Sequence, residues 1–350
     1  MNYRRKFLRL IGKSVITSSI LAPLSACITT QSNASFLNKN TPKTLKANKL
    51  KKGDLVGIVA PAGNVLKKDA VEDFRKLLEN LGFSVLLGKH IFEEYGDLAG
   101  KDEARAEDIN QMFYNQDVRG IFSIRGGWGS ARILHLIDYK NILANPKVLM
   151  GYSDISALLV AVYAKTGLIT FHGPMGYDNW DEITTDYFSN LVIQNQRLIF
   201  KNPPTFEGQL TTIYEGETNG ILIGGNMSVL SAIIGSEYLP NWKNKILFLE
   251  EVSEETYRID RMLTQFKLAG ILEKINGFVF GQCKNCNPDD PDHSFTFMQV
   301  MADHIIPLKI PSFTGAMFGH IANKFTLPIG ANVKINAKEG YISLEENALI

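Results

Sequence analysis

The sequence predicts a doubly wound parallel α/β sheet followed by a smaller C-terminal α/β domain, and three observations carry that prediction. Short apolar runs alternate with stretches whose apolar residues recur at helical spacing, the pattern of successive βα units. Two of those runs end in turn-forming segments, Arg125-Gly126-Gly127-Trp128-Gly129 and Gly151-Tyr152-Ser153-Asp154, each followed by a further helical stretch. Of 350 residues, 45% are hydrophobic and 21% charged, enough apolar material for the cores of two ordinary domains.

In chain order, Leu55 to Ala60 reads as a strand, Lys67 to Leu81 as a helix, Ser84 to Leu87 as a strand and Ala104 to Phe113 as a helix. Ile121 to Ile124 is the strand entering the glycine turn, and Ala131, Ile133, Leu134 and Leu136 indicate a helix behind it. Lys147 to Met150 is a buried strand, and Leu158, Leu159, Val162 and Tyr163 give the stretch from Ser153 to Thr166 a helical spacing. The first sheet, of flavodoxin or glutamine-amidotransferase type, is expected to end near His172 after the strand Leu168 to Phe171. Residues 195–217 are polar and proline-bearing and read as a linker. Strands near Ile221, Leu247, Val279 and Val333 then alternate with helices at Met227 to Ile234, Arg258 to Ala269 and Phe295 to His304. The expected organisation is a signal at 1–27, a linker at 28–50, a nucleophile domain at 51–194, the linker at 195–217 and a second domain at 218–350.

Ser153 stands where a strand ends and a helix begins, a position that holds a side chain clear of the sheet near the positive helix terminus. The junction departs from the Gly-x-Ser-x-Gly elbow, since Ile155 occupies the place of the second glycine, and a serine that merely caps a helix is the plainer reading of these four residues. The glycine turn upstream alters the balance, because three glycines in five positions let the backbone approach a ligand and offer N–H groups to an oxyanion. No Gly-x-Gly-x-x-Gly pattern and no Gly-Lys-Ser/Thr accompanies it, which argues against a phosphate loop.

A serine nucleophile needs a base and an orienting carboxylate. Of six histidines, His172 and His320 stand out, the first after a strand and before Gly173-Pro174, the second in a glycine-flanked loop. Glu250 ends the apolar strand Ile246 to Leu249, where a carboxylate is costly unless paired or functional; Arg258 and Arg261 are its plain structural partners by spacing.

With these residues assembled, the chain resembles the LD-carboxypeptidase family, serine peptidases that also include the microcin C immunity hydrolases. The resemblance runs from about Asp54 to about Gly340. It takes in Val56-Gly57-Ile58-Val59-Ala60-Pro61-Ala62-Gly63, the two turns, His172-Gly173-Pro174-Met175, Gly224-Gly225-Asn226, Leu249-Glu250-Glu251, Tyr257 to Leu263 and Phe318-Gly319-His320. It implies Ser153 as nucleophile, Glu250 as the acid and His320 as the base of a triad, with backbone N–H groups of Asp154 and Gly127 as the oxyanion hole. The implied reaction is hydrolysis of murein tetrapeptides between the diamino acid and the terminal D-alanine, without a cofactor or metal. Such a substrate carries a free carboxylate, for which Arg125 and Arg258 are candidates beside Trp128. Trp128 replaces the family's usual tyrosine and Glu251 a common aspartate. Two other readings stand beside this one. An immunity-type hydrolase of aminoacyl-nucleotide peptides would need an aromatic platform such as Trp180, and a muropeptide-binding lipoprotein would need no chemistry.

The amino terminus adds a destination. Arg4-Arg5-Lys6-Phe7-Leu8-Arg9 is a twin-arginine pattern, Leu10 to Leu24 is mostly apolar, and Leu24-Ser25-Ala26-Cys27 matches a lipoprotein cleavage box with Cys27 as the lipidated residue. The expectation is a periplasmic, membrane-anchored lipoprotein, a departure from the cytoplasmic recycling enzymes common in the family; a cytoplasmic enzyme is the alternative. Net charge is +1 with no basic stripe, which excludes nucleic acid as an expected partner. The expected partners are a murein peptide, the membrane through its anchor and, optionally, a second copy of the chain. Cys283 and Cys286 would need two further ligands to hold a metal; His293 could be one, but no fourth stands at ligand spacing, so they read as loop cysteines without a catalytic part, with a disulfide open to them in an exported protein.

Overall fold

A computed structural model of the protein describes residues 42–350; the leader, Cys27 and most of the linker read from the sequence lie outside the described residues. The elements follow in the order β1 (Leu55–Val59), α1 (Lys68–Asn80), β2 (Ser84–Leu87), α2 (Asp102–Tyr114), β3 (Val118–Ser123), α3 (Tyr139–Ala144), β4 (Val148–Gly151), α4 (Ser156–Thr166), β5 (Thr170–His172) and α5 (Glu182–Phe188). Then come β6 (Ile199–Lys201), β7 (Thr211–Tyr214), β8 (Glu217–Asn226), α6 (Met227–Ala232), β9 (Lys245–Val252), α7 (Thr256–Leu268), β10 (Gly277–Lys284), α8 (Phe297–Ile305) and β11 (Ser312–Thr314). The chain closes with β12 (Leu327–Ile329), β13 (Asn332–Asn336) and β14 (Tyr341–Leu344).

The first sheet has the order β12-β5-β4-β3-β1-β2, with β1 to β5 mutually parallel. Its order reverses beside β1, and a doubly wound sheet offers its ligand crevice at the carboxyl ends of the strands flanking that reversal. The glycine turn leaves the carboxyl end of β3, at that reversal, and the Ser153 turn leaves the same end of the neighbouring β4. The sheet does not finish at His172 as expected, because β12 returns from the C-terminal half and pairs antiparallel with β5, Leu327 opposite His172. Three residues, one of them Pro328, carry too little pattern to announce a strand.

The second sheet is the wider one, in the order β6-β14-β13-β8-β9-β10-β11-β7 with β8 to β11 parallel. Residues 195–217, expected to be a linker, contribute its two outer strands, β6 against β14 and β7 against β11. Edge strands need only one partner and half-exposed side chains, so their polar sequence disguises them.

Helix α4 joins the two layers. Leu158, Leu159, Val160, Ala161 and Val162 are fully buried, and Tyr163 nearly so, although the spacing predicted a single apolar face. A helix apolar all round is one enclosed on every side. Here α3 and β5 cover it from its own half, and β8 and α6 from the other. The serine at its start is thereby held between the two sheets.

Candidate active site

Strand β4 ends at Gly151 and the chain passes through a short 3-10 turn, Ser153–Ile155, into α4. Glycine is required at 151, since a Cβ there would lie 2.8 Å from Ile155 Cγ2. Ser153 has φ 58°, a left-handed backbone that L residues hold only where the surroundings impose it, and such strain gathers at functional sites. The glycine turn closes over it. A Cβ on Gly126 would meet Ser153 Oγ at 3.1 Å and Asp154 N at 3.3 Å, so any larger residue would fill the space beside the hydroxyl and that N–H. Sequence reasoning singled out Gly127, whose φ is 106° and whose nearest neighbours are Gly63 and the Arg125 guanidinium; Gly126 is the glycine that abuts Ser153.

His320 lies in the loop after β11, and its Nε2 is 2.9 Å from Ser153 Oγ. Its Nδ1 is 2.7 Å from Oε2 of Glu250, which ends the apolar run of β9 and is fully buried. With the carboxylate ionised, Nδ1–H donates to it and Nε2 accepts from the serine hydroxyl. Gly319 makes this closure feasible: its φ is 111°, and a Cβ would stand 3.0 Å from both Cβ and Oε2 of Glu250. Burial pushes the Glu250 carboxyl up, but the hydrogen bond and charge of His320 outweigh it and leave the group below its ordinary value. Burial likewise pulls His320 down, and the hydrogen bond and charge of Glu250 carry it above its ordinary value. Three side chains from different elements thus form one hydrogen-bonded series, 167 residues apart at its widest.

The neighbouring acid faces elsewhere. Side chains alternate along β9, and Glu251 accepts from Asn226 Nδ2 at 3.0 Å, Val252 N at 3.0 Å and Ser228 N at 2.7 Å, fastening the start of α6. Burial raises its pKa. His172, the second candidate base, is 1% exposed with neither ring nitrogen hydrogen-bonded, and burial lowers it to about 4. It stays neutral, packed edge-on against Tyr152 and Phe248.

The other expected residues take structural partners. Arg125 donates from Nη1 to Asn64 O at 2.9 Å and lies 5.4 Å over the Tyr177 ring, beneath the glycine turn. Trp128 is 49% exposed on that turn. Asp154 is buried, its carboxylate accepting from Ser130 N at 2.7 Å. Arg258, on α7, engages Tyr257 Oη at 3.1 Å and Glu254 at 3.5 Å. Cys283, expected in a loop, lies near the end of β10 and forms a disulfide with Cys286 in the turn that follows. Sequence reasoning missed Arg105, a buried guanidinium that donates to Pro61 O at 2.6 Å and Gly129 O at 2.9 Å and so braces the glycine turn from below. A single arginine among the many charged residues of α2 gives no signal of that role.

Comparison with known proteins agrees on both halves of the chain. The family model of the LD-carboxypeptidase N-terminal domain matches residues 56–173, and that of the LD-carboxypeptidase C-terminal domain matches residues 219–335. A probable murein peptide carboxypeptidase of Bacillus subtilis is 36% identical over 299 residues, covering 84% of this chain and 92% of the relative. The murein tetrapeptide carboxypeptidase of Pseudomonas aeruginosa is 28% identical, covering 79% and 91%. Among solved structures, the apo microcin C7 self-immunity protein MccF superposes with a TM-score of 0.80 at 28% identity, covering 87% of this chain and 100% of that one. The muramoyltetrapeptide carboxypeptidase of Oxalobacter formigenes does so with 0.73 at 27% identity, covering 83% and 97%.

Proposed function

The chain belongs to the LD-carboxypeptidase family and is a carboxypeptidase, and on that premise we propose that it hydrolyses the bond between the diamino acid and the terminal D-alanine of murein tetrapeptides through a Ser153 acyl-enzyme. The observation that carries this reading is the unbroken series Ser153 Oγ, His320, Glu250, at 2.9 and 2.7 Å. His320 Nε2 takes the hydroxyl proton as Oγ bonds to the scissile carbonyl carbon. Glu250 holds Nδ1–H and offsets the charge of the imidazolium. The oxyanion is met by N–H groups of Asp154 and Gly127 in the space that Gly126 leaves open. The C–N bond then breaks, D-alanine departs with the proton from His320, and water, deprotonated by the same nitrogen, releases the acid.

Arg125, with one nitrogen fixed by Asn64 O and its face on Tyr177, is the guanidinium we assign to the terminal carboxylate. Arg258 has a less favourable position, half-exposed and paired with Glu254 just ahead of its helix. Trp180, the aromatic that an immunity-type nucleotide substrate would call on, packs against Phe74 and Phe188 and donates Nε1–H to Met175 O at 3.0 Å, which supports the peptide reading over the nucleotide one. The twin-arginine pattern and Cys27 support a periplasmic, lipid-anchored enzyme that trims tetrapeptides outside the cytoplasm. Incubating the purified protein with a murein tetrapeptide tests the reaction: free D-alanine and tripeptide are the expected products, and an intact tetrapeptide after prolonged incubation refutes it.

A further inference from the structure

Lys324 follows His320 by four residues in the same loop, and its side chain is only 3% exposed. A buried ammonium is costly unless paired, and the serine chemistry itself has no use for one. Its partners all come from much earlier in the chain, between residues 152 and 184. Nζ pairs with Oδ1 of Asp178, which is 12% exposed in the segment after β5, and donates to Tyr152 Oη at 3.2 Å. The same nitrogen lies 4.4 Å over the Tyr152 ring. Tyr152 Oη donates to Asp178 Oδ1 at 2.8 Å, Asp178 Oδ2 accepts from Met175 N at 2.8 Å, and the Lys324 N–H donates to Thr184 Oγ1 at 3.1 Å. Each member of the triangle is therefore hydrogen-bonded to another, and two of them are fastened to the backbone or side chains of their neighbours. Tyr152 is also the residue before Ser153, and its ring centroid is 5.0 Å from that of His320.

We propose that Lys324, Asp178 and Tyr152 form a buried latch between the two halves of the protein that holds the His320 loop against Ser153, making the three positioning residues for the hydrolysis. The inference rests on the serine-peptidase reading above. Ser153 follows β4 of the first sheet, whereas His320 lies midway along the loop that crosses from β11 of the second sheet to β12 of the first, so their 2.9 Å contact depends on whatever holds that loop against the end of β4. The latch grips the loop four residues beyond the base and the backbone one residue before the nucleophile. Loss of it lets both drift, and a misplacement near 1 Å costs on the order of tenfold to a hundredfold in rate.

The latch also bears on the charge of the base. Glu250 faces His320 and favours its protonation, the charge of Glu251 does so from the other side of β9, and Lys324 from the His320 loop opposes it. His172 beside them stays neutral, burial of the Tyr152 hydroxyl keeps it protonated, and Asp178 faces Lys324.

The test uses the full chain as Lys324→Met, Asp178→Asn, Tyr152→Phe and the double variant Lys324→Met/Asp178→Asn, with the parent and Ser153→Ala as references. In Lys324→Met, kcat for D-alanine release should fall about tenfold or more with KM within about twofold. His320, titrated by NMR without substrate, should move up in Lys324→Met and down in Asp178→Asn. The double variant leaves no unpaired buried charge and keeps the test open if the single variants do not fold; it should be folded with the same loss in kcat. Parental kcat in the folded double variant, a change in KM alone, or an unmoved His320 in both single variants overturns the latch. A parent that leaves the tetrapeptide intact, or an active Ser153→Ala, refutes the serine-peptidase reading instead, while the His320 titration still decides the latch.

Discussion

Replacing Glu250 by Gln should reduce kcat about a thousandfold, whereas the same change at Glu251 should leave it within about tenfold. The magnitude follows from the geometry. Glu250 Oε2 lies 2.7 Å from His320 Nδ1, which places the centres of the carboxylate and imidazolium charges about 4 Å apart. At an effective dielectric of about 20, their attraction is about 4 kcal/mol, and each ~1.4 kcal/mol is tenfold in rate, hence about 10³. A carboxamide keeps the shape and one hydrogen bond but none of that charge. Glu251 instead receives two N–H donors at the start of α6 and one from the next residue of β9, so its substitution leaves a buried donor without a full partner, a cost of about 1–3 kcal/mol in stability with little in catalysis. Steady-state kinetics of D-alanine release, paired with thermal unfolding of both variants, separates the two effects. Equal losses in kcat, or a Glu250→Gln enzyme within tenfold of the parent, would show that the wrong acid has been assigned.

Ser153→Ala should abolish turnover by several orders of magnitude while the fold persists, since only the attacking oxygen is removed; activity within about tenfold of the parent, measured on the same substrate, rules it out as nucleophile. The acid limb of kcat/KM should lie above the ordinary histidine value, because His320 works as a base only when neutral and the hydrogen bond to Glu250 overcomes burial to raise its pKa. By the same linkage, the stability drawn from protonated His320 is complete below its unfolded pKa and lost as pH rises through the higher folded one; an acid limb with its midpoint at or below about 6.5 contradicts the pairing. For the leader, cell fractionation should find the parent with the membrane, Cys27→Ala released or uncleaved, and the double Arg4→Lys, Arg5→Lys variant retained inside; full-length cytosolic protein in all three cases ends the lipoprotein proposal.

Local pattern alone made much of this protein legible. The run from Lys147 to Met150 followed by Gly151 and Ser153 locates a strand, a sharp turn and a helix within a few residues, because strand and helix periods are properties of adjacent side chains. The glycine turn after β3 and the acid at the end of β9 are local in the same sense. What a sequence leaves open is any choice made between distant segments. Glu250 and Glu251 are chemically alike and adjacent; the direction each takes across β9, one to His320 and the other to α6, was settled by which element packs on each face. His172 and His320 each follow an apolar strand near glycine, yet enclosure by Tyr152 and Phe248 leaves the first neutral, while the pairing with Glu250 makes the second basic. Strand β12 completes a sheet begun more than two hundred residues earlier, and Lys324 finds Asp178 across a separation of 146. Neither partner carries any mark of the other in its own neighbourhood, because such contacts exist only once the two sheets have closed around α4.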